Sequence, residues 1–201
     1  MQNETSPGGL RGRRRAATEL DLEEAALTAL ADGDFDGVTM EAIAAAAGVS
    51  VRTAFRYFPT KVDTVLHTAR QISVTIGEAI GEVGADATVR TVEASIDSAL
   101  VQLVESDAGA VDRLRRLRTL MLGDPRLRAE VAKAEGYLSG LDAALAAGAR
   151  PGMERRLLLE IAAATLRTAF DSWADDETDD SGRGLLAQYR RAREIRSALV
   201  D

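Results

Sequence analysis

The sequence predicts an all-α protein. Apolar residues recur at intervals of three and four along most of the 201-residue chain, which is the spacing of one face of an α-helix. No segment alternates convincingly with the period of two expected of a strand, and β-branched residues do not cluster between turn residues. An apolar fraction of 46% can fill a substantial core. We therefore expect an N-terminal three-helix domain and a C-terminal helical bundle, with about nine helices in all.

The composition excludes several classes of protein and of functional site. The chain has no cysteine, which excludes disulfides, a thiolate zinc site and a thiol nucleophile. Its first residues, MQNETSPGGLRGRRR, lack the apolar segment of a signal peptide, and no run approaches the ~18 apolar residues of a membrane-spanning helix. We expect a soluble, cytoplasmic protein with no membrane contact. The net charge of −7 argues against a surface coated with cations, but a local basic patch is compatible with it.

The first predicted helix follows a polar tail. Residues 1–15 are rich in Gly, Pro, Ser and Arg and offer almost nothing to bury, so we expect them to be a disordered basic tail. From Thr18 onward, Leu20, Leu27 and Leu30 form one apolar stripe at helical spacing. The sequence DGDFDG then predicts the end of this helix and a turn, because glycine accepts the left-handed conformation of a helix cap.

Three more helix starts follow within the next thirty or so residues. Thr39, Ser50 and Thr60 each precede a helical pattern and are typical N-caps. The second helix ends at Gly48, and the third must end before Pro59, because the residue preceding a proline is driven out of α geometry. The fourth helix carries a long apolar seam.

These elements divide the chain into two predicted domains. Two short helices joined by a tight turn that contains glycine are the helix-turn-helix arrangement, and we assign it to residues 16–66. Residues 67–201 form the second domain, whose first helix starts near residue 61. The further predicted helices span approximately residues 88–106, 109–122, 125–147, 152–174 and 183–199.

The stretch GVSVRTAFRYFPTK, residues 48–61, differs from the rest of the chain. It holds three aromatic residues within four positions, in a chain with four Phe, three Tyr and one Trp, and it contains two arginines, a lysine and no acid. Helical spacing turns Ala54 and Phe58 inward, with Val51 at the edge of that face. The residues left on or beside the outer face are Arg52, Thr53, Arg56 and Tyr57.

This outer face suits the major groove of DNA. An arginine can pair bidentately with guanine, and hydroxyl groups of threonine and tyrosine can hold phosphates. Lys61, at the start of the next helix, adds a positive charge and a helix N-terminus to the same strip. We therefore predict a DNA-binding surface on the third helix.

The segment GDFDGVTMEAIAAAAGVSVRTAFRYFPTKVDTV resembles the DNA-binding region of the TetR family of transcriptional regulators. The resemblance covers about fifty residues, Leu20 to Leu66. It implies groove contacts by Val51, Arg52, Thr53, Arg56 and Tyr57. It implies phosphate contacts by Thr39, Thr53, Tyr57 and Lys61. It also implies a homodimer on a pseudo-palindromic operator, and we expect a repressor that a small apolar effector releases.

The segment departs from the family pattern at two positions. Phe55 stands among the DNA-binding positions where many members carry a tyrosine, so any hydroxyl contact there is lost. Ala54 replaces a residue that is usually larger and apolar. The second change bears on how tightly the third helix packs against its own domain.

Four arginines precede the first predicted helix, and we count them among the candidate DNA-binding residues. A flexible arginine arm beside a helix-turn-helix can enter the adjacent minor groove. We favour a mainly non-specific contribution to affinity; the alternative is a tail that only aids solubility. The residues are Arg11, Arg13, Arg14 and Arg15.

The resemblance further implies an effector-binding, dimerising C-terminal domain. The segments LRTLMLGDPRLRAEV and LRTAFDSWADD resemble an actinobacterial branch of the family that includes mycofactocin-system regulators. Polar groups offered by Arg118 and Asp171 could join the pocket, or Asp171 could pair with Arg167. The candidate pocket residues are Leu103, Leu117, Leu120, Met121, Tyr137, Leu141, Leu166, Arg167 and Phe170.

The last two predicted helices carry the candidate dimer interface. The resemblance implies that they pair with a second copy as a four-helix bundle, in which one surface patch is repeated on both subunits. The candidate residues are Leu157, Leu158, Ile161, Leu185, Leu186, Ile195 and Leu199.

The sequence offers little for catalysis. His67 is the only histidine, and it lies one residue from the apolar seam of the fourth helix. The chain has no nucleophile elbow, no P-loop, no glycine fingerprint and no cluster with metal-ligand spacing. We expect no catalytic residue, no metal and no cofactor. The alternative to a ligand-responsive regulator is a DNA-binding dimer without a small-molecule ligand, which acts architecturally or through a protein partner.

Overall fold

The computed structural model describes residues 9–83, 88–134, 152–176 and 181–200. Within these ranges the chain forms ten α-helices and no strand, so the all-α prediction is confirmed. None of the helices described is long and apolar enough to cross a membrane. The helices are α1 Leu10–Asp32, α2 Met40–Ala46, α3 Val51–Tyr57, α4 Lys61–Val65, α5 His67–Gly81, α6 Val89–Ser106, α7 Ala108–Gly123, α8 Pro125–Lys133, α9 Met153–Ala174 and α10 Gly182–Val200.

The chain divides into two compact units. Among the described residues, the first unit comprises those up to His67 together with Thr119–Ala134, and the second comprises those from Thr68 to Arg118 and from 152 onward. The sequence places residues 119–134 in the second domain, so this assignment differs from the structure. These residues join the first unit because α8 packs against α4 and because Asp124 accepts a hydrogen bond from Phe35.

The first unit is built around α1. This helix packs against α2 and α4, and Leu22, Leu27 and Ile43 are completely buried. The predicted N-caps form: Thr39, Ser50 and Thr60 each accept a hydrogen bond from the third N–H of their helix. Thr60 and Asp63 also complete a capping box. Local sequence signals therefore fix where α2, α3 and α4 begin.

Two helix boundaries differ from expectation. The structure starts α1 at Leu10, so the four tail arginines lie on a helix rather than in a disordered tail; residues 1–8 lie outside the described ranges. Arginine and alanine are good helix formers. An ion pair between Arg15 and Glu19, one helical turn apart, also stabilises this part of α1. The predicted fourth helix is interrupted at Leu66, where φ is −90° and ψ is 0°.

The second unit is a bundle in which α6, α9 and α10 contact one another. Trp173 and Tyr189 are its largest completely buried side chains, and they lie in one apolar cluster with Ile80, Ile96 and Leu159. The Tyr189 hydroxyl donates to the Glu93 carbonyl at 3.2 Å. Burial, with a smaller contribution from the charge of Glu93, raises the pKa of Tyr189 far above its ordinary value of 10.0.

Candidate nucleic-acid interface

The α2–α3 turn depends on one glycine. Gly48 has φ of +67°, a left-handed conformation that residues with a Cβ rarely adopt. Its N–H donates to the Ala45 carbonyl, and the Val49 N–H donates to the Ala44 carbonyl. The Ser50 hydroxyl then accepts the Thr53 N–H at 3.1 Å and starts α3. This turn sets the direction of α3 relative to α2.

The two faces of α3 differ in burial and in chemistry. Ala54 is completely buried and Phe58, its C-cap, is nearly so, and these are the residues that the spacing turns inward. The Phe58 ring packs edge-on against the His67 ring at 5.4 Å between centroids, which accounts for the single histidine as a packing residue. On the other face Arg52, Phe55 and Arg56 are exposed.

Tyr57 lies between two arginines. Its half-buried ring has the Arg56 guanidinium carbon 5.1 Å from the centroid and the Arg15 guanidinium carbon 5.5 Å from it. Both distances are within the range of cation–π attraction. Arg15 belongs to α1, so this contact brings the basic first turns of α1 to the C-terminal end of α3. The two basic segments singled out by the sequence are therefore adjacent.

The Lys61 side chain forms hydrogen bonds and a ring contact within its own unit. Its ammonium donates hydrogen bonds to the carbonyls of Phe35 and Val38 and lies 3.9 Å from the centroid of the Phe35 ring. The side chain is half-buried. A lysine ammonium has three N–H donors, so one remains for a phosphate. The phosphate contact of Lys61 stays a prediction. What the structure shows is that Lys61 holds the loop before α2 through the Phe35 and Val38 carbonyls.

The other expected phosphate ligands sit at helix starts. Thr39 is exposed, and its hydroxyl oxygen accepts the Ala42 N–H at 3.2 Å. The Thr53 hydroxyl lies 2.8 Å from the Ser50 hydroxyl, and Val51 is half-buried at the first position of α3. A threonine hydroxyl that accepts at a cap still has a proton to donate. Contacts of these residues with DNA stay predictions.

The candidate pocket residues that the structure describes are divided between the two units. Leu103 lines a cavity of about 140 Å³ between α5 and α6, whereas Leu166 is part of the apolar core of the second unit and Phe170 packs against that core. Leu117 is buried in the second unit. Leu120 is half-buried and Met121 is buried, and both belong to the first unit. Tyr137 and Leu141 lie outside the described residues.

The two polar candidates on α9 behave differently from expectation. Arg167 is exposed, so it does not face the core. Asp171 pairs with Arg118 of α7 at 3.2 Å rather than with Arg167. The i, i+4 spacing on one helix permits an ion pair, but here the partner comes from a neighbouring helix of the same unit.

The candidate interface residues separate into two groups. Leu157, Ile195 and Leu199 are exposed, and Ile161 is half-buried. Ile161, Ile195 and Leu199 line a groove of about 520 Å³ between α9 and α10. Leu185, by contrast, is buried in the apolar core of its own unit, with Leu186 packed against that core, and Leu158 is half-buried. The two leucines near the start of α10 therefore face inward, not outward as predicted.

Asp124 is a structurally important residue that the sequence does not single out. Its Oδ2 accepts the Phe35 N–H at 2.9 Å, and its Oδ1 accepts the N–H groups of Arg126 and Leu127 at 2.8 and 3.1 Å. Asp followed by Pro125 is an N-cap signal that predicts the start of α8. The partner 89 residues away has no local signal in the sequence.

A helix-turn-helix with an exposed, acid-free and arginine-bearing second helix defines a DNA-binding domain. Residues 22–67 match the domain described as "Bacterial regulatory proteins, tetR family". This part of the chain, from α1 to the start of α5, is therefore similar to the DNA-binding domain of TetR-family regulators.

Several solved structures that are similar to this chain are described as TetR-family regulators. A TetR-family regulator from Mesorhizobium loti has 18% identity, with 92% of this chain and 98% of that chain covered and a TM-score of 0.48. Thermus thermophilus FadR, a repressor in complex with lauroyl-CoA, has 20% identity, coverage of 89% and 93%, and a TM-score of 0.49. AlkX from a Dietzia strain, a repressor implicated in n-alkane biodegradation, has 18% identity, coverage of 89% and 95%, and a TM-score of 0.41.

No curated protein sequence matches this chain. The assignment of DNA binding to this part of the chain rests on the matching domain and on the geometry of α2 and α3. In the described part of the chain, no group of three or more His, Cys, Asp or Glu side chains could hold a metal ion.

Proposed function

We propose that this protein is a sequence-specific operator-binding regulator that acts in the cytoplasm as a homodimer. The observation that carries the proposal is the exposed face of α3, where Arg52, Phe55 and Arg56 project from a helix capped by Ser50. No acid occurs from Gly48 to Lys61, so nothing on this helix repels the phosphate backbone. Arg52 and Arg56 supply guanine readout, and Tyr57 with Thr39 and Thr53 supplies phosphate contacts.

Base readout is tested with two single substitutions. A duplex selected from a random pool by the wild-type protein serves as the operator. Arg52→Ala and Arg56→Ala should each lower affinity for it by ~1–3 kcal/mol and relax the preference at one base position. Arg183→Ala is the matched control, because Arg183 is an exposed arginine of the second unit. Unchanged affinity and base preference in both α3 variants would reject the assignment.

The homodimer is supported by the apolar surface of α9 and α10. The groove between these helices is lined by Ile161, Ile195 and Leu199, and Leu157 is exposed on α9. Exposed leucines and isoleucines at helical spacing favour a partner surface. A homodimer supplies two copies of α3, which an operator with two half-sites one DNA turn apart, about 34–36 Å, requires.

Dimerisation is tested by placing a charged side chain in the apolar groove. Ile195→Glu should convert a dimer to a monomer in sedimentation equilibrium and abolish cooperative binding to the two half-sites. Glu160→Gln is the control, because it alters the charge at an exposed position of the neighbouring helix α9 that does not line the groove. A wild-type monomer, or an Ile195→Glu protein that remains dimeric, would contradict the interface.

We further propose that a small apolar effector binds the second unit and releases the operator. The cavity between α5 and α6 supports this, because it is lined by Ile72, Ile76, Leu100 and Leu103 together with Thr75, Gln102 and Ser106. Its volume of about 140 Å³ is close to that of engineered apolar cavities that bind benzene. The polar residues of its lining would orient the ligand.

The effector proposal is tested by reciprocal titration. Benzene and small alkylbenzenes serve as probes of the cavity, and Leu103→Trp fills it. If binding weakens operator affinity, operator DNA must weaken probe binding by the same factor. Equal probe affinity with and without operator would reject release by this route, and no probe binding to the wild type would favour the DNA-binding dimer without a ligand.

A further inference from the structure

Two carboxylates of α6 are each held by an arginine of α10. Glu93, which is 1% exposed, accepts two hydrogen bonds from Arg196 at 3.1 and 2.8 Å. One helical turn further on, Asp97 accepts two hydrogen bonds from Arg190 at 3.0 and 3.1 Å. Both pairs are bidentate, the strongest arrangement between a guanidinium and a carboxylate. Each carboxylate is therefore satisfied by one arginine.

Arg193 lies between these two pairs as an additional cation. Its guanidinium is 3.6 Å from the Glu93 carboxylate and 3.6 Å from the Asp97 carboxylate, beyond ordinary hydrogen-bond length. The atom nearest to Glu93 is the Arg193 Nε, which is buried and makes no hydrogen bond to any described residue at this distance. A buried donor without an acceptor is destabilising and needs an explanation, such as a bound ion.

A second arginine completes the arrangement. Arg90 precedes Glu93 by one turn of α6 and forms no ion pair with any residue in the described ranges. Both arginines line an open groove of about 420 Å³ in the second unit. The groove is lined by Arg90, Glu93, Arg190, Arg193, Glu194, Arg196 and Ser197. Four arginines thus line one groove with two carboxylates, those of Glu93 and Glu194, on a chain whose net charge is −7.

We propose that this groove binds a small oxyanion of the phosphate class, with Arg193 and Arg90 as its ligands. The planar guanidinium donates two parallel N–H bonds that match the oxygen spacing of a phosphate. The four arginines exceed the carboxylates of Glu93, Asp97 and Glu194 by one charge, so an anion offsets this surplus and supplies acceptors to guanidinium N–H groups that the carboxylates leave without a hydrogen bond. Phosphate and a phosphate monoester share this chemistry and are separated by experiment.

The test measures phosphate binding by the full chain. Isothermal titration and thermal unfolding are run with inorganic phosphate and with glycerol 3-phosphate, against sodium chloride at equal ionic strength. The wild type should bind phosphate, and saturating phosphate should raise its Tm by about 2–4 °C beyond chloride. Arg193→Gln and Arg90→Gln should each weaken binding by about tenfold or more.

The variants are chosen to separate binding from folding. Arg90 makes no ion pair in the described residues, so Arg90→Gln is expected to fold normally even if Arg193→Gln does not. Arg183→Gln removes an exposed arginine from the same α10 and should bind phosphate like the wild type. Tighter binding of glycerol 3-phosphate than of phosphate identifies a monoester as the ligand; equal or weaker binding identifies free phosphate. The proposal is overturned if phosphate acts no differently from chloride, or if Arg90→Gln binds phosphate as the wild type does.

Discussion

The carboxylate of Asp124 accepts the backbone N–H of Phe35 at 2.9 Å, although 89 residues separate them in the chain. The same carboxylate caps α8 through the N–H groups of Arg126 and Leu127. One side chain thus fixes both the start of α8 and the loop that precedes α2. The hydrogen bond from Phe35 is the largest cause that holds the pKa of Asp124 below its ordinary value of 3.8, and the bonds from Leu127 and Arg126 act in the same direction.

Replacing Asp124 should destabilise the protein. Asp124→Ala removes an N-cap and leaves the Phe35 N–H without its acceptor, so we expect the free energy of unfolding to fall by about 1–2 kcal/mol. Urea denaturation at pH 7 measures this change. Asp21→Ala is the control, because Asp21 is an exposed residue of α1. Equal loss of stability in the two variants would contradict a specific role for Asp124.

The contribution of Asp124 should depend on pH. A group whose pKa is lower in the folded than in the unfolded protein stabilises the fold above the unfolded value and loses that effect as the pH falls through the folded value. The difference in unfolding free energy between wild type and Asp124→Ala should therefore be constant at neutral pH and shrink below 3.8, the ordinary pKa. If the difference in unfolding free energy stays constant down to acid pH, the charge of Asp124 does not cause the stabilisation.

Lys61 should contribute to stability as well as to DNA binding. Lys61→Met keeps an unbranched apolar chain but removes the donors to the Phe35 and Val38 carbonyls, so we expect a loss of about 1–3 kcal/mol in unfolding free energy. If the ammonium also neutralises a phosphate, the slope of log affinity against log salt should flatten by about 1. A loss of stability with an unchanged slope would leave Lys61 as an anchor of the loop only.

The DNA-binding helices could be predicted from sequence because their signals are local. Thr39, Ser50 and Thr60 each cap the helix that follows, and Gly48 and Pro59 end α2 and α3 within a residue or two of the predicted points. Each of these effects acts within one turn of helix. Hence the burial of Ala54 and Phe58 and the exposure of Arg52 and Arg56 follow from spacing alone.

The remaining features depend on contacts between segments far apart in sequence. Spacing shows that Leu185 belongs to an apolar face, but not whether that face meets its own core or a second copy; the structure puts it in its own core. In the same way, Arg15 and Tyr57 are 42 positions apart, and nothing local predicts their contact. The start of α1 was missed for a different reason: a polar, arginine-rich segment can be helical without burying anything.

Gly182 should not tolerate a side chain. A Cβ at this position would lie 2.7 Å from both methyl carbons of Val104, a side chain with little rotameric freedom. Gly182→Ala should therefore lower the unfolding free energy by about 1–3 kcal/mol. Gly81→Ala is the control, since a Cβ there meets nothing within 4 Å, and it should be neutral or stabilising. Equal stability of the two variants would disprove the close approach of α10 to Val104.

Replacing Phe55 by tyrosine should increase the affinity for operator DNA. The side chain is 47% exposed on α3 beside Arg52 and Arg56, at a position where many members of the family carry tyrosine. Phe55→Tyr adds one hydroxyl that can donate to a phosphate, so operator affinity should rise by about 0.5–1.5 kcal/mol, with base preference unchanged. Phe55→Leu supplies the comparison without a ring. An affinity for Phe55→Tyr no higher than that of the wild type would show that no phosphate lies within reach.

The basic first turns of α1 should add affinity that is independent of sequence. Arg11 and Arg14 are exposed on a helix whose Arg15 contacts Tyr57 of α3, so they extend the same positive surface. The double variant Arg11→Gln/Arg14→Gln keeps the helix and the Arg15–Glu19 pair, which deletion of residues 1–15 would remove. Each phosphate neutralised contributes about 0.9 to the slope of log affinity against log salt, so the slope should flatten by about 1 to 2.

Two controls distinguish this effect from a loss of specificity or of structure. The base preference of the double variant should match that of the wild type, because phosphate contacts carry no direct sequence information. Arg183→Gln, on an exposed position of α10, should leave the slope unchanged. If the double variant has the wild-type slope, these arginines neutralise no phosphate and the α1 segment has no part in DNA binding. If the slope flattens while base preference changes, Arg11 or Arg14 enters a groove rather than lying along the backbone.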